Sequence, residues 1–199
     1  MYIYCLSINI CYICDIILIF NVMSKRNFVF KGLYIVAWVI FVGLCIEAGG
    51  LIVNFFFSLY RPEFVPNLYQ KLDLSEMYER SKWAFFSIYS FILVISILKA
   101  VLFYVVIRLV SKINLSKPFS NFVSRQISQI SYYTLSIGLL SYLARETAKK
   151  MQDQGYIIDI LNHFWADSQA FILMAAVIYI IAAIFSKGVE IQNENDLTV

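Results

Sequence analysis

Residues 28–60 form a long apolar stretch with a single acidic residue, in the segment Glu47-Ala48-Gly49-Gly50. As a helix rising ~1.5 Å per residue, such a stretch exceeds the ~30 Å hydrocarbon thickness of a bilayer and permits tilt. Further runs of the same kind follow. Of the 199 residues, 61% are hydrophobic and 15% charged, against about 45–50% apolar and roughly 25% charged in soluble domains. The fold class this implies is an all-α integral membrane protein with four transmembrane helices, at about 32–57, 85–109, 130–144 and 170–185. The net charge of +3 is modest, and no basic cluster with interleaved aromatics suggests direct nucleic-acid binding.

Taken in order, residues 1–22 are apolar but lack the charged start of a signal peptide, and Asp15 interrupts them. Met23-Ser24-Lys25-Arg26 makes a natural initiator with a positive flank. Residues 1–22 are therefore expected to be an extension absent from the native product, leaving residues 23–199 as one membrane domain. Arg61, Pro62 and Pro66 end the first run. Asp73 and Glu76 then resemble a capping box for a helix that starts near Leu74 and enters the bilayer at Trp83. Lys99 interrupts the second span. Pro118 precedes an amphipathic lead-in helix, with Phe119, Phe122, Val123, Ile127 and Ile130 at helical spacing. It passes without a breaker into the third span, where Ser131, Ser136 and Ser141 favour shielding by neighbouring helices. Residues 145–166 read as a polar linker and Trp165 as the point of re-entry. Lys187-Gly188 reads as the charged last turn and glycine cap of the fourth span, ahead of a polar tail at 188–199.

Cytoplasmic flanks of membrane proteins carry the excess of Lys and Arg. Lys25, Arg26, Lys31, Arg108, Lys112, Lys117, Arg125 and Lys187 fall on one side; Arg61, Lys71, Arg80, Lys82, Arg145, Lys149 and Lys150 fall on the other. The short middle loop lacks acidic residues and tips the balance, placing both termini in the cytoplasm. Tyr60, Trp83 and Trp165 then mark the outer interface.

A carboxylate at the bilayer centre costs at least ~2.5–3.5 kcal/mol, so Glu47 requires a partner or a neutral form. Lys99, at similar depth on an antiparallel helix, is the candidate for an intramembrane ion pair. The pair reads either as a packing element or as an ion or proton site. Gly49 and Gly50 read as helix-packing glycines, or less directly as a point of local unwinding. His163, with Asp159 and Asp167 at spacings of four, reads as a solvated face and not a metal site. Cys11 and Cys14 have CxxC spacing, but no second pair follows and the chain holds one histidine. With Cys5 and Cys45 they read as incidental membrane cysteines. No nucleophile elbow, HExxH, P-loop or dinucleotide fingerprint occurs. Neither enzymatic activity nor a metal or cofactor is expected.

Several blocks together, Cys45-Ile46-Glu47-Ala48-Gly49, Leu72-Asp73-Leu74-Ser75, Lys117-Pro118-Phe119, Gly188-Val189-Glu190-Ile191-Gln192 and Glu194-Asn195-Asp196-Leu197-Thr198-Val199, resemble the bacterial membrane family called domain of unknown function 2975. The resemblance covers roughly residues 23–199. It implies a four-helix protein of bacterial inner membranes with no catalytic residues to carry over. By analogy with families encoded beside helix-turn-helix transcription regulators, it also implies a cytoplasmic regulator as partner. The leading functional expectation is a non-enzymatic regulatory membrane protein. Its tail, with Glu190, Gln192, Glu194, Asp196, Leu197 and Val199, would be captured as an extended peptide, or its basic middle loop would make the contact. The alternatives are a small transporter or immunity-type protein using Glu47 and Lys99, and a structural subunit bound to other membrane proteins. Mass spectrometry of the native protein is expected to find its first residue at Met23; an intact peptide covering residues 1–22 would overturn that start site.

Overall fold

The structure, a computed structural model, describes residues 28–60, 75–113, 118–156, 161–165 and 167–196. Six helices occur among them: α1 (Phe28–Tyr60), α2 (Ser75–Arg80), α3 (Lys82–Lys112), α4 (Asn121–Asp153), α5 (Asn162–Trp165) and α6 (Ser168–Asp196). The chain divides into two compact units at Val36 and Ala37. Of the first, the described part is the opening of α1, Phe28–Val36, which is helical throughout. All packing described below lies within the second. Three helical stretches, Phe30–Tyr60, Lys82–Lys112 and Ser168–Glu194, are long and apolar enough to cross a membrane. These match the first, second and fourth expected spans. α4, which contains the expected third span, falls outside that set, because Ser, Thr, Gln and Arg recur along its length.

α4 is the helix against which α3, α5 and α6 pack. The amphipathic lead-in and the third span form one helix, as expected, but it continues to Asp153 through residues read as a linker. Lys149 and Lys150 tolerate helix well, and Glu146 pairs with Lys149 at 2.8 Å. That hydrogen bond holds the Glu146 carboxyl below its ordinary range. The Ser120 hydroxyl accepts from Val123 N at the start of α4. Gly155, at φ 86°, ends the helix in the left-handed conformation that favours glycine.

Small side chains line the face of α4 that meets α6. Ser131, Thr134, Gly138 and Ser141 are buried, and Ser131 Oγ donates to the Ala175 carbonyl across the seam at 3.0 Å. On α6, the buried positions Ser168, Ala175, Ala182 and Val189 recur every seven residues. A Cβ built at Gly138 would lie 2.7 Å from Ile172 Cγ1 and 3.0 Å from the Ile172 backbone nitrogen. Only glycine allows that approach, since backbone cannot move aside as a flexible side chain can.

The other face of α4 meets α3 in the main apolar core. Phe85, Ile88, Ile92, Ile95 and Leu102 of α3 cluster with Ile137, Ala144 and Ala148 of α4, and with Leu51, Met77, Leu161, Phe164 and Trp165. α1 joins through aromatic rings and a hydrogen bond. Tyr89 stacks on Phe55 at 5.6 Å and donates its hydroxyl to the Leu51 carbonyl at 2.9 Å. Trp83 is 88% exposed and Tyr60 83%, as suits interfacial aromatics, but Trp165 is buried at 2%. Trp165 belongs to the core and does not mark an interface.

The expected single helix from Leu74 into the second span is broken. Ser81 takes an extended conformation, φ −158°, and its hydroxyl caps α3 by accepting from Ala84 N at 3.4 Å. The break frees Arg80 to reach the end of α4. Its guanidinium donates to the Gln154 carbonyl at 2.9 Å and the Gly155 carbonyl at 3.3 Å, and lies 4.5 Å from the centre of the Tyr156 ring. A fixed fork of donors suits two successive carbonyls at a negative helix end. Gly138→Leu is expected to destabilise the folded protein by about 1–3 kcal/mol or more, as overpacking does, whereas Gly49→Leu is expected to be near neutral; detergent thermal denaturation compares the two.

Candidate functional site

Two of the sequence blocks singled out above come together at one end of the α4–α6 pair. Pro118-Phe119 leads into α4, and Gly188-Val189-Glu190 lies in α6. The Phe119 and Phe185 rings are 5.2 Å apart, and a Cβ at Gly188 would lie 2.6 Å from Phe119 Cδ1. Gly188 is therefore the seat for Phe119 and not a helix cap. α6 runs on through it to Asp196, so Glu190, Gln192, Glu194 and Asp196 are helical, contrary to the expected extended tail. Leu197 and Val199 lie outside the described residues. Nothing in the sequence from Ser186 to Asp196 breaks a helix except Gly188, and the ring beside it supplies packing to offset its ~1 kcal/mol cost. Lys187 and Glu190 add an i,i+3 ion pair at 2.7 Å.

The α3–α4 side of this end is basic. Arg108 and Lys112 of α3 approach the Phe122 ring at 5.8 and 5.5 Å, and Arg125 is exposed nearby in sequence on α4. A groove of ≈ 380 Å³ opens between α4 and α6 close to this end, lined by Ser128, Tyr132, Tyr179, Ala182, Ala183, Ser186, Lys187 and Glu190. Tyr132 and Tyr179 stand with ring centres 6.5 Å apart. Sequence reasoning missed the groove, since its two sides are about fifty residues apart and neither half carries a recognisable motif.

Glu47 and Lys99 are each half-buried. Among the described residues the ion pairs within 4.0 Å are Lys149–Glu146 and Lys187–Glu190, and Glu47–Lys99 is not one of them. The depth argument fits the register: Phe41 meets Tyr104, and Leu51 meets Tyr89. Direction defeats the contact. α3 meets α1 through Phe86, Tyr89 and Tyr104, whereas Lys99 falls at helical spacing with Ile88, Ile92, Ile95 and Leu102 on the stripe buried in the core. Gly49 does not admit a neighbouring helix, as a Cβ there would meet nothing within 4 Å. The close approaches occur instead at Gly138 and Gly188. Gly50 is half-buried in α1.

Cys45 is exposed as a free thiol on α1; Cys5, Cys11 and Cys14 lie outside the described residues, as do Asp159 and the side chain of His163. Among the described residues no group of three His, Cys, Asp or Glu is placed to hold a metal ion.

Three helices long and apolar enough to cross a membrane, with a small-residue seam between α4 and α6, suggest a helical membrane protein. A family model, Protein of unknown function (DUF2975), matches residues 59–199, and the chain belongs to that family. The match takes in the blocks around Asp73, Pro118 and Gly188 and the C-terminal block, but leaves Cys45-Ile46-Glu47-Ala48-Gly49 outside its bounds. No curated protein and no solved structure matches the chain.

The seating of Phe119 on Gly188 has a direct test. Gly188→Val is expected to cost about 1–3 kcal/mol by overpacking, and adding Phe119→Ala is expected to recover part of that loss. A double-mutant cycle in detergent measures the coupling; additive costs would show that the two do not touch.

Proposed function

We propose that this chain is a non-enzymatic protein of the bacterial inner membrane whose α6 extension binds a cytoplasmic transcription regulator. One observation carries the reading. Beyond the apolar run that ends at Phe185, α6 continues as a charged helix to Asp196, on which Ile191 is 50% exposed beside exposed Glu190, Asn193 and Glu194. An apolar anchor on a polar helix suits docking into a partner's groove, which replaces the extended-peptide mode. α4 makes the fourth crossing in this reading, with Ser131, Thr134 and Ser141 buried against its neighbours, and both termini face the cytoplasm.

A second reading is favoured by a different observation. Glu47 and Lys99 sit half-buried in apolar helices and form none of the ion pairs found among the described residues. Ionisable groups in such places commonly serve ion or proton pathways. In that reading the protein is a small transporter or an immunity-type protein.

Photo-crosslinking in cells from position 191 of the full chain is expected to capture a soluble DNA-binding protein, and removal of residues 192–199 to change transcription of that protein's targets. Unchanged transcription with no soluble crosslink would overturn the partner reading. Glu47→Gln separates the second: loss of a proteoliposome ion flux with unchanged thermal stability supports transport, and a change in stability alone removes it.

A further inference from the structure

We propose that the groove between α4 and α6 is a binding site for a zwitterionic phospholipid with a primary-amine headgroup, of the phosphoethanolamine class. Its volume of ≈ 380 Å³ lies within the range of about 300–1,000 Å³ usual for small-molecule sites. The groove is sorted along its length. At one end Tyr132 and Tyr179 flank a floor of Ala182 and Ala183, small enough to let an acyl chain lie against the helix. Ile180 and Ile184, 59% and 62% exposed, continue the apolar surface beside it. At the other end stand Ser186, Lys187 and Glu190, immediately past the last apolar residue of the run, Phe185. That is the depth at which headgroups lie against a membrane-crossing helix.

The charges choose the headgroup. Lys187 and Glu190 form a neutral pair at 2.7 Å, with both side chains more than half exposed. A headgroup carrying phosphate and ammonium together meets both: phosphate on the Lys187 ammonium, amine on the Glu190 carboxylate. An anionic headgroup without an amine gains Lys187 but faces Glu190 unpaired. A choline headgroup has no N–H to donate, whereas a primary ammonium donates three hydrogen bonds to carboxylate and hydroxyl oxygens. The hydroxyls of Tyr132, Tyr179 and Ser186 form no hydrogen bond among the described residues and remain available. Ser128 Oγ donates to the Ser124 carbonyl at 3.0 Å, leaving its lone pairs to accept from the amine.

The site shares Glu190 with the regulator reading but excludes its apolar anchor, Ile191, so the two are tested separately. The test is native mass spectrometry of the full chain released from mild detergent, titrated with phosphatidylethanolamine, phosphatidylcholine or phosphatidylglycerol of the same acyl chains. Phosphatidylethanolamine is expected to be retained about tenfold better than either, equivalent to ~1.4 kcal/mol. Glu190→Gln is expected to erase the preference over phosphatidylcholine, and Ala183→Trp, which fills the groove while leaving both charges, to remove retention altogether. Equal retention of the three lipids by the native chain overturns the proposal, as does a preference for phosphatidylglycerol. Unaltered phosphatidylethanolamine retention in both variants likewise overturns it. The comparison on the native chain decides even where a variant fails to fold.

Discussion

The close approach of α4 and α6 is the constraint from which the rest of the architecture follows. Helices in an apolar medium gain little from hiding apolar surface, so they associate through van der Waals contact and a few well-placed hydrogen bonds. Ser131, Gly138, Ala175 and Ala182 meet both requirements, since they remove bulk and since Ser131 donates across the seam. Once the small face of α4 is committed to α6, its remaining buried face, with Ile137, Ala144 and Ala148, is turned to α3. The three helices then share a single axis of order, with α1 added through rings.

The two ends of this assembly differ in chemistry. At the end of α4 near Asp153, aromatic and aliphatic side chains from α2, α3 and the α5 region form a dense cap: Tyr78 meets Phe85 edge-on at 5.1 Å, and Trp165 is buried beside them. At the opposite end Arg108 and Lys112 stand against the Phe122 ring and Lys187 against Glu190. The groove and the charged run of α6 both lie there.

Much of this was legible in the sequence. Apolar run length located α1, α3 and α6, and of the three serines taken as a sign of shielding in the third run, Ser131 and Ser141 are buried while Ser136 is not. Boundaries were less legible. Gly188 has the sequence context of a helix cap, and only the Phe119 ring beside it explains why the helix continues; Ser81 looks like mid-helix until its hydroxyl is seen to cap Ala84. Glu47 and Lys99 show the deeper difficulty. Counting residues gives depth along a helix but not the direction a side chain takes around it, and Lys99 lies on the wrong stripe of α3 to meet α1. Glycine has the same ambiguity, since Gly49 and Gly138 differ only in what stands opposite them.

The Arg80 fork changes what α4 is mechanically. By holding the Gln154 and Gly155 carbonyls, it fastens the short helix before α3 to the far tip of α4, while Phe119 and Gly188 fasten the near end to α6. Between these anchors runs one uninterrupted helix of 33 residues, about 50 Å at ~1.5 Å per residue. Such a helix joins the turn at Gly155 to the Phe119–Gly188 seat through one continuous hydrogen-bonded backbone.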